Sequence, residues 1–281
     1  MRAKLRDLGE YIFWTFSPIT YRLESEASLV VYHSVDLLHE IPGVPKRALV
    51  ESEKLLIADS DFVVASSIGV AQHLKDLGGA THRLWENVAS VELFGSSRTD
   101  RKNRAIFAGN LTPTKVDVEL LKGIASEGME LALAGPLSID GIDSDKEFTE
   151  LFDLPEVTYL GNLALDDLAR EVANSTVGLI PYNINSYTDG VFPMKVYEYL
   201  SAGLQVVSTP LPSLREKKID GLSVVQRVDF VATVKEAYEG FTEDAATERA
   251  RSAQPYSWTQ RIFDAATLLG YEPNKQESGR V

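Results

Sequence analysis

The chain has 281 residues, 44% of them hydrophobic and 25% charged, with a net charge of −13 and no cysteine. That composition suits a soluble globular protein of one large or two small domains, and it excludes disulfides, thiol catalysis and cysteine-ligated metal. The acidic balance, with no block of basic residues, argues against nucleic acid or an anionic membrane as an electrostatic partner.

Short β-rich runs alternate with helical patterns along the chain. Strands are expected at Tyr11–Phe16, Leu29–Tyr32, Phe62–Ala65, Ala105–Ala108, Leu131–Ala134, Val157–Leu160, Val177–Ile180 and Gln205–Ser208. Helical periodicity marks Pro45–Ala58, Val70–Leu77, Val116–Ser126 and Asp166–Asn174. This alternation predicts an α/β fold with parallel, doubly wound sheets. No run approaches the ~18 apolar residues of a membrane span. The N-terminal residues lack the apolar core of a signal peptide, so the expected location is cytoplasmic. Asn110-Leu-Thr and Asn174-Ser-Thr match the glycosylation sequon, and without secretion they are chance matches.

The most informative stretch is Asp189-Gly-Val-Phe-Pro-Met-Lys-Val-Tyr-Glu-Tyr-Leu-Ser-Ala-Gly-Leu-Gln-Val-Val-Ser208. It predicts a tight loop, a short helix opening near Pro193, a stop at Gly203 and a buried strand. Backbone N–H groups at such a loop and helix start suit an anion such as a diphosphate. Lys195 and Glu198 lie three apart and share a helix face. A cation beside a diphosphate and a carboxylate one turn on could hold the two halves of a nucleotide.

The run Pro-x-Lys-x-x-Glu-Tyr-Leu-x-Ala-Gly-x-x-Val-Val resembles the donor-site signature of GT-B glycosyltransferases. It is most similar to the bacterial polysaccharide-assembly branch of family 4 and to xanthan-type glucuronosyltransferases. Ala105–Lys115, Leu131–Pro136, Val157–Asn162 and Val177–Asn183 resemble successive strands of the family's C-terminal domain. Ser257-Trp258-x-x-Arg261 resembles its returning helix. Ile12–Pro18, Val30–Asp36, Glu53, Asp61–Ser67 and Leu84–Asn87 resemble only the later part of its N-terminal domain. The resemblance implies two Rossmann-like domains facing across a cleft, the first incomplete. The expected division is residues 1–100, 101–254, a returning helix at 255–271 and a disordered tail at 272–281, with the boundary at Gly95–Asn103.

For the donor side, the resemblance implies that Glu198 accepts hydrogen bonds from the ribose and that Lys195 contacts the donor. Lys115 would neutralise the leaving diphosphate, after a turn at Gly109 with Asn110 where an arginine is common. Gly190, beside Asp189, stands where many members carry a second glutamate. Tyr182, Asn183, Thr188 and Met194 complete the expected donor pocket. Asp36 takes the position of a general base on the acceptor hydroxyl. Each has a plainer reading: Glu198 and Lys195 as solvated helix residues, Asp36 as a cap, and Tyr182, Asn183 and Thr188 as loop residues.

His33 and His39 stand near Asp36, while His73 and His82 show no metal-ligand spacing with them. Asp59-Ser-Asp61 and Asp143-Ser-Asp145 imitate a metal-binding Asp-x-Asp motif, the first across a helix end and the second in a polar loop. No metal is expected, because cations and helix ends manage the diphosphate in this fold.

Two readings stay open. One is a transferase moving a sugar from a nucleoside-diphosphate donor to a saccharide or lipid-linked acceptor in cell-surface polysaccharide assembly, with peripheral association at the inner membrane face. The other is a non-catalytic nucleotide-sugar-binding module, or one half of a split enzyme whose partner subunit completes the N-terminal domain.

Overall fold

The computed structural model describes residues 9–41, 43–96, 101–139, 142–143 and 145–271, and the chain forms two compact units within them. The expected tail at 272–281 lies outside the described residues.

The first unit comprises the chain up to Asn87 together with Ile184–Phe192 and Leu211–Lys217. Its sheet is parallel, in the order β1 (Ile12–Thr15), β2 (Leu29–Ser34), β3 (Phe62–Ala65) and β4 (Arg83–Leu84). Helices α1 (Lys46–Asp59) and α2 (Ile68–Asp76) cross between its later strands. Their apolar faces bury Leu56, Val70 and Leu74 against Val30, Tyr32, Val63 and Ala65. Ser67 starts α2 as an N-cap, its hydroxyl accepting from Val70 N at 3.1 Å.

The second unit begins at Val88, upstream of the expected boundary at Gly95–Asn103. The reason is helix α3 (Val91–Ser96), whose Val91 and Phe94 are buried in that unit's core. The elements that follow are β5 (Ala105–Ala108), α4 (Val118–Ser126), β6 (Leu131–Ala134), the hairpin β7 (Ser138–Ile139) and β8 (Ile142–Asp143), α5 (Asp145–Phe152), β9 (Val157–Gly161), α6 (Leu165–Ala173) and β10 (Val177–Ile180). After these come α7 (Lys195–Ser201), β11 (Gln205–Ser208), β12 (Leu222–Val224), α8 (Phe230–Glu239), α9 (Glu243–Ala253) and α10 (Trp258–Leu268). Asp143-Ser-Asp145 therefore runs from a hairpin strand into a helix instead of through one loop. Asp59 pairs with Arg22 at 2.6 Å and Asp61 accepts from Val30 N at 2.8 Å, so both carboxylates of the other Asp-x-Asp serve the fold.

The second sheet is parallel in the order β12-β11-β10-β5-β6-β9. Strands β5, β6 and β9 are laid down in one direction, and β10, β11 and β12 in the other. This is the doubly wound order with its reversal between β5 and β10, where ligands bind at the carboxyl ends. Strands β5, β6 and β10 are buried on both faces, as parallel sheets require.

The junction between β5 and β10 pairs only Val177 with Ala105 and Gly178 with Ile106, after which the two strands diverge. The amide of Ala108 is then bonded by the hydroxyl of Tyr199, at 2.9 Å, on the fully buried face of α7. Gly178 makes room for that ring, since any Cβ there would overlap the Tyr199 side chain. Tyr199→Phe should leave a buried N–H without a partner, costing about 1–3 kcal/mol. Thermal unfolding of the variant should show the midpoint lower by roughly 2–10 °C.

Candidate functional site

At the reversal point, the loops after β5 and β10 are stitched together. Asn183 N donates to Lys115 O at 2.9 Å and the Asn183 side-chain amide to Pro113 O at 2.8 Å. Val116 bridges Tyr182, and Asp117 N donates to Pro181 O at 2.8 Å. The Lys115 ammonium lies 4.8 Å from the centre of the Tyr182 ring, which is buried edge-on against Phe107. Tyr182 is thus a floor beneath a cation, with 3% of its surface exposed. Asn110, one residue beyond Gly109, is exposed.

Helix α7 arrives over the same strand ends. Its Met194 is partly exposed and Lys195 half-buried, while Val196 to Ser201 are all buried. Gly203, at φ +86°, ends it in the left-handed conformation, with Gly203 N bonded to Leu200 O and Leu204 N to Tyr199 O. The Lys195 side chain lies across Gly109: a Cβ on that glycine would come within 2.8 Å of Lys195 Cε and 3.4 Å of its Nζ. Gly135, ending β6 as Gly109 ends β5, meets Gly109 backbone to backbone. Gly135 N donates to Gly161 O at 2.8 Å, and the Tyr159 hydroxyl donates to Gly135 O at 2.9 Å.

Glu198 is 8% exposed, yet its carboxylate accepts no hydrogen bond among the described residues. Burial pushes this carboxyl above its usual 4.5, and the Lys195 ammonium pulls it back. The plainer reading of a solvated helix carboxylate does not hold, because Glu198 is inside. Its oxygens are not sealed from solvent, which leaves them open to a donor from outside the chain.

The loop before α7 belongs to the first unit. Its turn Ser186–Asp189 is closed by a capping box between Asn185 and Thr188. Thr188 is fully buried with its hydroxyl donating to Asn185 O at 3.1 Å, so this residue shapes the loop and has no hydroxyl to offer a ligand. Gly190 is close-packed on Leu37, where no second carboxylate could stand, and Asp189 is exposed. Three consecutive carbonyls are each held by a side chain: Gly190 O by Ser67 at 2.7 Å, Val191 O by Ser213 at 2.6 Å and Phe192 O by Asn87 at 2.9 Å. These bonds fix the backbone of this loop within the first unit.

Asp36 follows β2 in the first unit and is partly buried. Burial, and then the Asp36 charge, raises the phenol of nearby Tyr187 above its usual value. His33 is buried among the rings of Trp14, Phe16 and Trp85, a core position. His39 and His73, which sequence spacing kept apart, are stacked with ring centres 4.1 Å apart. Their approach comes from helix packing, which no local pattern records. The roles of Tyr199 and Gly135 were also missed, although the repeated Ala-Gly at the ends of β5 and β6 was a usable signal.

A concavity at the opposite end of the second sheet, lined by Lys102, Arg104, Glu156 and Glu171, lies at strand amino ends. Arg104 and Glu171 neutralise each other there at 2.7 Å. That end offers no strand carboxyl ends to a ligand.

Residues 102–241 match the family "Glycosyl transferases group 1". The match covers just under half of the chain, and over that stretch the sequence is similar to the group 1 glycosyltransferases. The matched region contains the reversal point and α7. TuaH of Bacillus subtilis (strain 168), by name a glycosyltransferase of teichuronic acid biosynthesis, is 28% identical over 184 residues, which cover 60% of this chain. The match spans 45% of TuaH, under half of that relative's length. Sucrose-phosphate synthase from Thermosynechococcus elongatus superposes with a TM-score of 0.72 at 16% identity, covering 96% of this chain and 75% of the other. Anabaena HepE, solved with UDP and glucose, gives 0.69 at 16% identity, covering 96% and 80%. These likenesses establish the GT-B type of α/β fold. Among the described residues no helix is long and apolar enough to cross a membrane.

Proposed function

We propose that this chain binds a nucleoside-diphosphate sugar at the β5–β10 reversal point and transfers the sugar to a saccharide or lipid-linked acceptor in cell-surface polysaccharide assembly. The observation that carries the reading is Glu198, a largely buried carboxylate with no donor among the described residues, one helical turn from a lysine lying on Gly109. The ribose hydroxyls supply the hydrogen bonds that Glu198 lacks. Lys195 and Lys115 face the diphosphate, with Gly109, Asn110, Asn183 and Met194 around it. Tyr182 supports Lys115 from beneath, and Thr188, Asp189 and Gly190 set the loop that leads into α7.

In the transfer, the bond from the anomeric carbon to the phosphate oxygen breaks and a bond to the acceptor oxygen forms. The leaving diphosphate takes the electron pair, and its charge is stabilised by the two ammonium groups without a metal. Asp36 is the carboxylate assigned to take the acceptor proton. HepE was solved with UDP and glucose, so UDP-glucose is the first donor to try.

A panel of nucleotide sugars, scored for nucleoside diphosphate release with saccharide acceptors, tests this. One donor should turn over, and Lys195→Ala should lower kcat about 100-fold with a smaller change in KM. An unchanged kcat in that variant would remove Lys195 from the mechanism. A second reading, the donor-binding half of a split transferase, is favoured by β1, which among the described residues pairs on one side only and exposes Ile12. Tight donor binding with no turnover would select it.

A further inference from the structure

Apart from the donor site, the first unit encloses a second set of chemically capable side chains. Glu53 on α1 and His73 on α2 meet with Glu53 Oε2 2.8 Å from His73 Nε2. His39, in the short turn Leu38–Glu40, stacks on His73, and one ligand atom from each of the three residues lies within 4.8 Å of the others. Glu53 is 3% exposed and the His39 side chain 9%.

The surroundings orient these groups as a metal site requires. The Tyr32 hydroxyl donates to Glu53 Oε1 at 2.6 Å, which fixes the carboxylate and leaves Oε2 facing the histidines. Glu40 Oε1 lies 3.3 Å from His39 Nε2 and is itself held by Lys46 at 2.5 Å. A carboxylate on one ring nitrogen sets the tautomer and leaves the other nitrogen its lone pair. That other nitrogen, His39 Nδ1, is buried and has no hydrogen-bond partner among the described residues.

We propose that His39, Glu53 and His73 form a site for a divalent transition ion of the zinc class. Two imidazoles and one carboxylate are a recognised zinc set, with bonds of about 2.0–2.2 Å. Such bonds hold neighbouring ligand atoms about 3.4 Å apart, so Glu53 Oε2 and His73 Nε2 must part slightly from their 2.8 Å contact while the wider separations in the group, all within 4.8 Å, close. The ion takes the place of the direct contact between His73 and Glu53. It ties the Leu38–Glu40 turn to α1 and α2. This proposal does not rest on the sugar-transfer reading, and it uses none of the residues assigned there.

The test uses the tag-free chain, stripped with a chelator and titrated with zinc chloride by calorimetry. X-ray absorption at the zinc edge is then recorded on the loaded wild type. The expected result is one zinc per chain, imidazole scattering in the absorption spectrum, and binding at least tenfold weaker in His39→Gln and His73→Gln of unchanged circular dichroism. No zinc uptake by the wild type at large molar excess, a spectrum without imidazole, or full-strength binding in both folded variants would overturn it. The spectrum decides the matter even where a variant fails to fold.

Discussion

Glu198→Ala should weaken nucleoside diphosphate binding about 10- to 100-fold, the effect of losing a charge-assisted hydrogen bond worth about 1.5–3 kcal/mol. The isosteric change Glu198→Gln should at the same time stabilise the ligand-free chain at neutral pH. The sign follows from burial. The Glu198 carboxyl is raised in the folded chain, so folding takes up a proton there. Stability from this group is therefore lost as pH rises from the ordinary carboxyl value, 4.5, through the raised one. Above that window the folded chain carries a buried charge that the glutamine variant lacks. Ribose hydroxyls favour the ionised form, so nucleotide affinity of the wild type should strengthen across the same window. Calorimetric titration and thermal unfolding across pH check both halves. A glutamine variant that unfolds earlier than the wild type at pH 7 would show that Glu198 has a structural donor.

Gly135→Ala should be among the most damaging small substitutions in the second unit. At φ +135° the residue sits in a region essentially reserved for glycine, and its added methyl would overlap the Gly109 carbonyl. Strain of about 1–3 kcal/mol and overpacking of about 1–3 kcal/mol add to roughly 2–6 kcal/mol. The struck atom is backbone at a strand end, so it has nowhere to move. Gly109→Ala makes a useful contrast. Its strain is of the same kind at φ +153°, but its Cβ meets the flexible end of Lys195. That variant should keep more of its stability while displacing the ammonium and losing donor affinity. Urea midpoints for the two variants check the difference. A wild-type midpoint for Gly135→Ala would mean that β5 and β6 do not hold their loops together as described.

The sheets were legible because their central strands are short apolar runs punctuated by turn residues, as at Ala105–Ala108 and Val177–Ile180. Strands such as Arg83–Leu84 and Leu222–Val224 were not, because two or three half-exposed residues carry no periodicity. Within the site, helical spacing was enough to put Lys195 and Glu198 on one face. That Glu198 is buried depends on Tyr197 stacking on Tyr256 at 4.0 Å and on Tyr199 reaching Ala108, contacts distant in sequence. Thr188 looked like a pocket residue, yet Asn185-x-x-Thr188 is a local capping pattern that explains it better. The allegiance of Ile184–Phe192 to the first unit rests on Ser67, Asn87 and Ser213 bonding carbonyls far along the chain, which no window of sequence displays. The His39–Glu53–His73 group was hidden for the same reason.

The central claim is that the β5–β10 reversal point, with Lys195 and Glu198, holds a nucleoside diphosphate. Thermal shift of the purified chain with uridine, guanosine and adenosine diphosphates, repeated on Glu198→Ala, tests it most directly. At about 100 times its dissociation constant a ligand adds about 2.7 kcal/mol, roughly 5–10 °C here. The account predicts such a shift with one base, cut to about half or less in Glu198→Ala at the same concentration. No shift with any of the three, or one that survives intact in the variant, would contradict it.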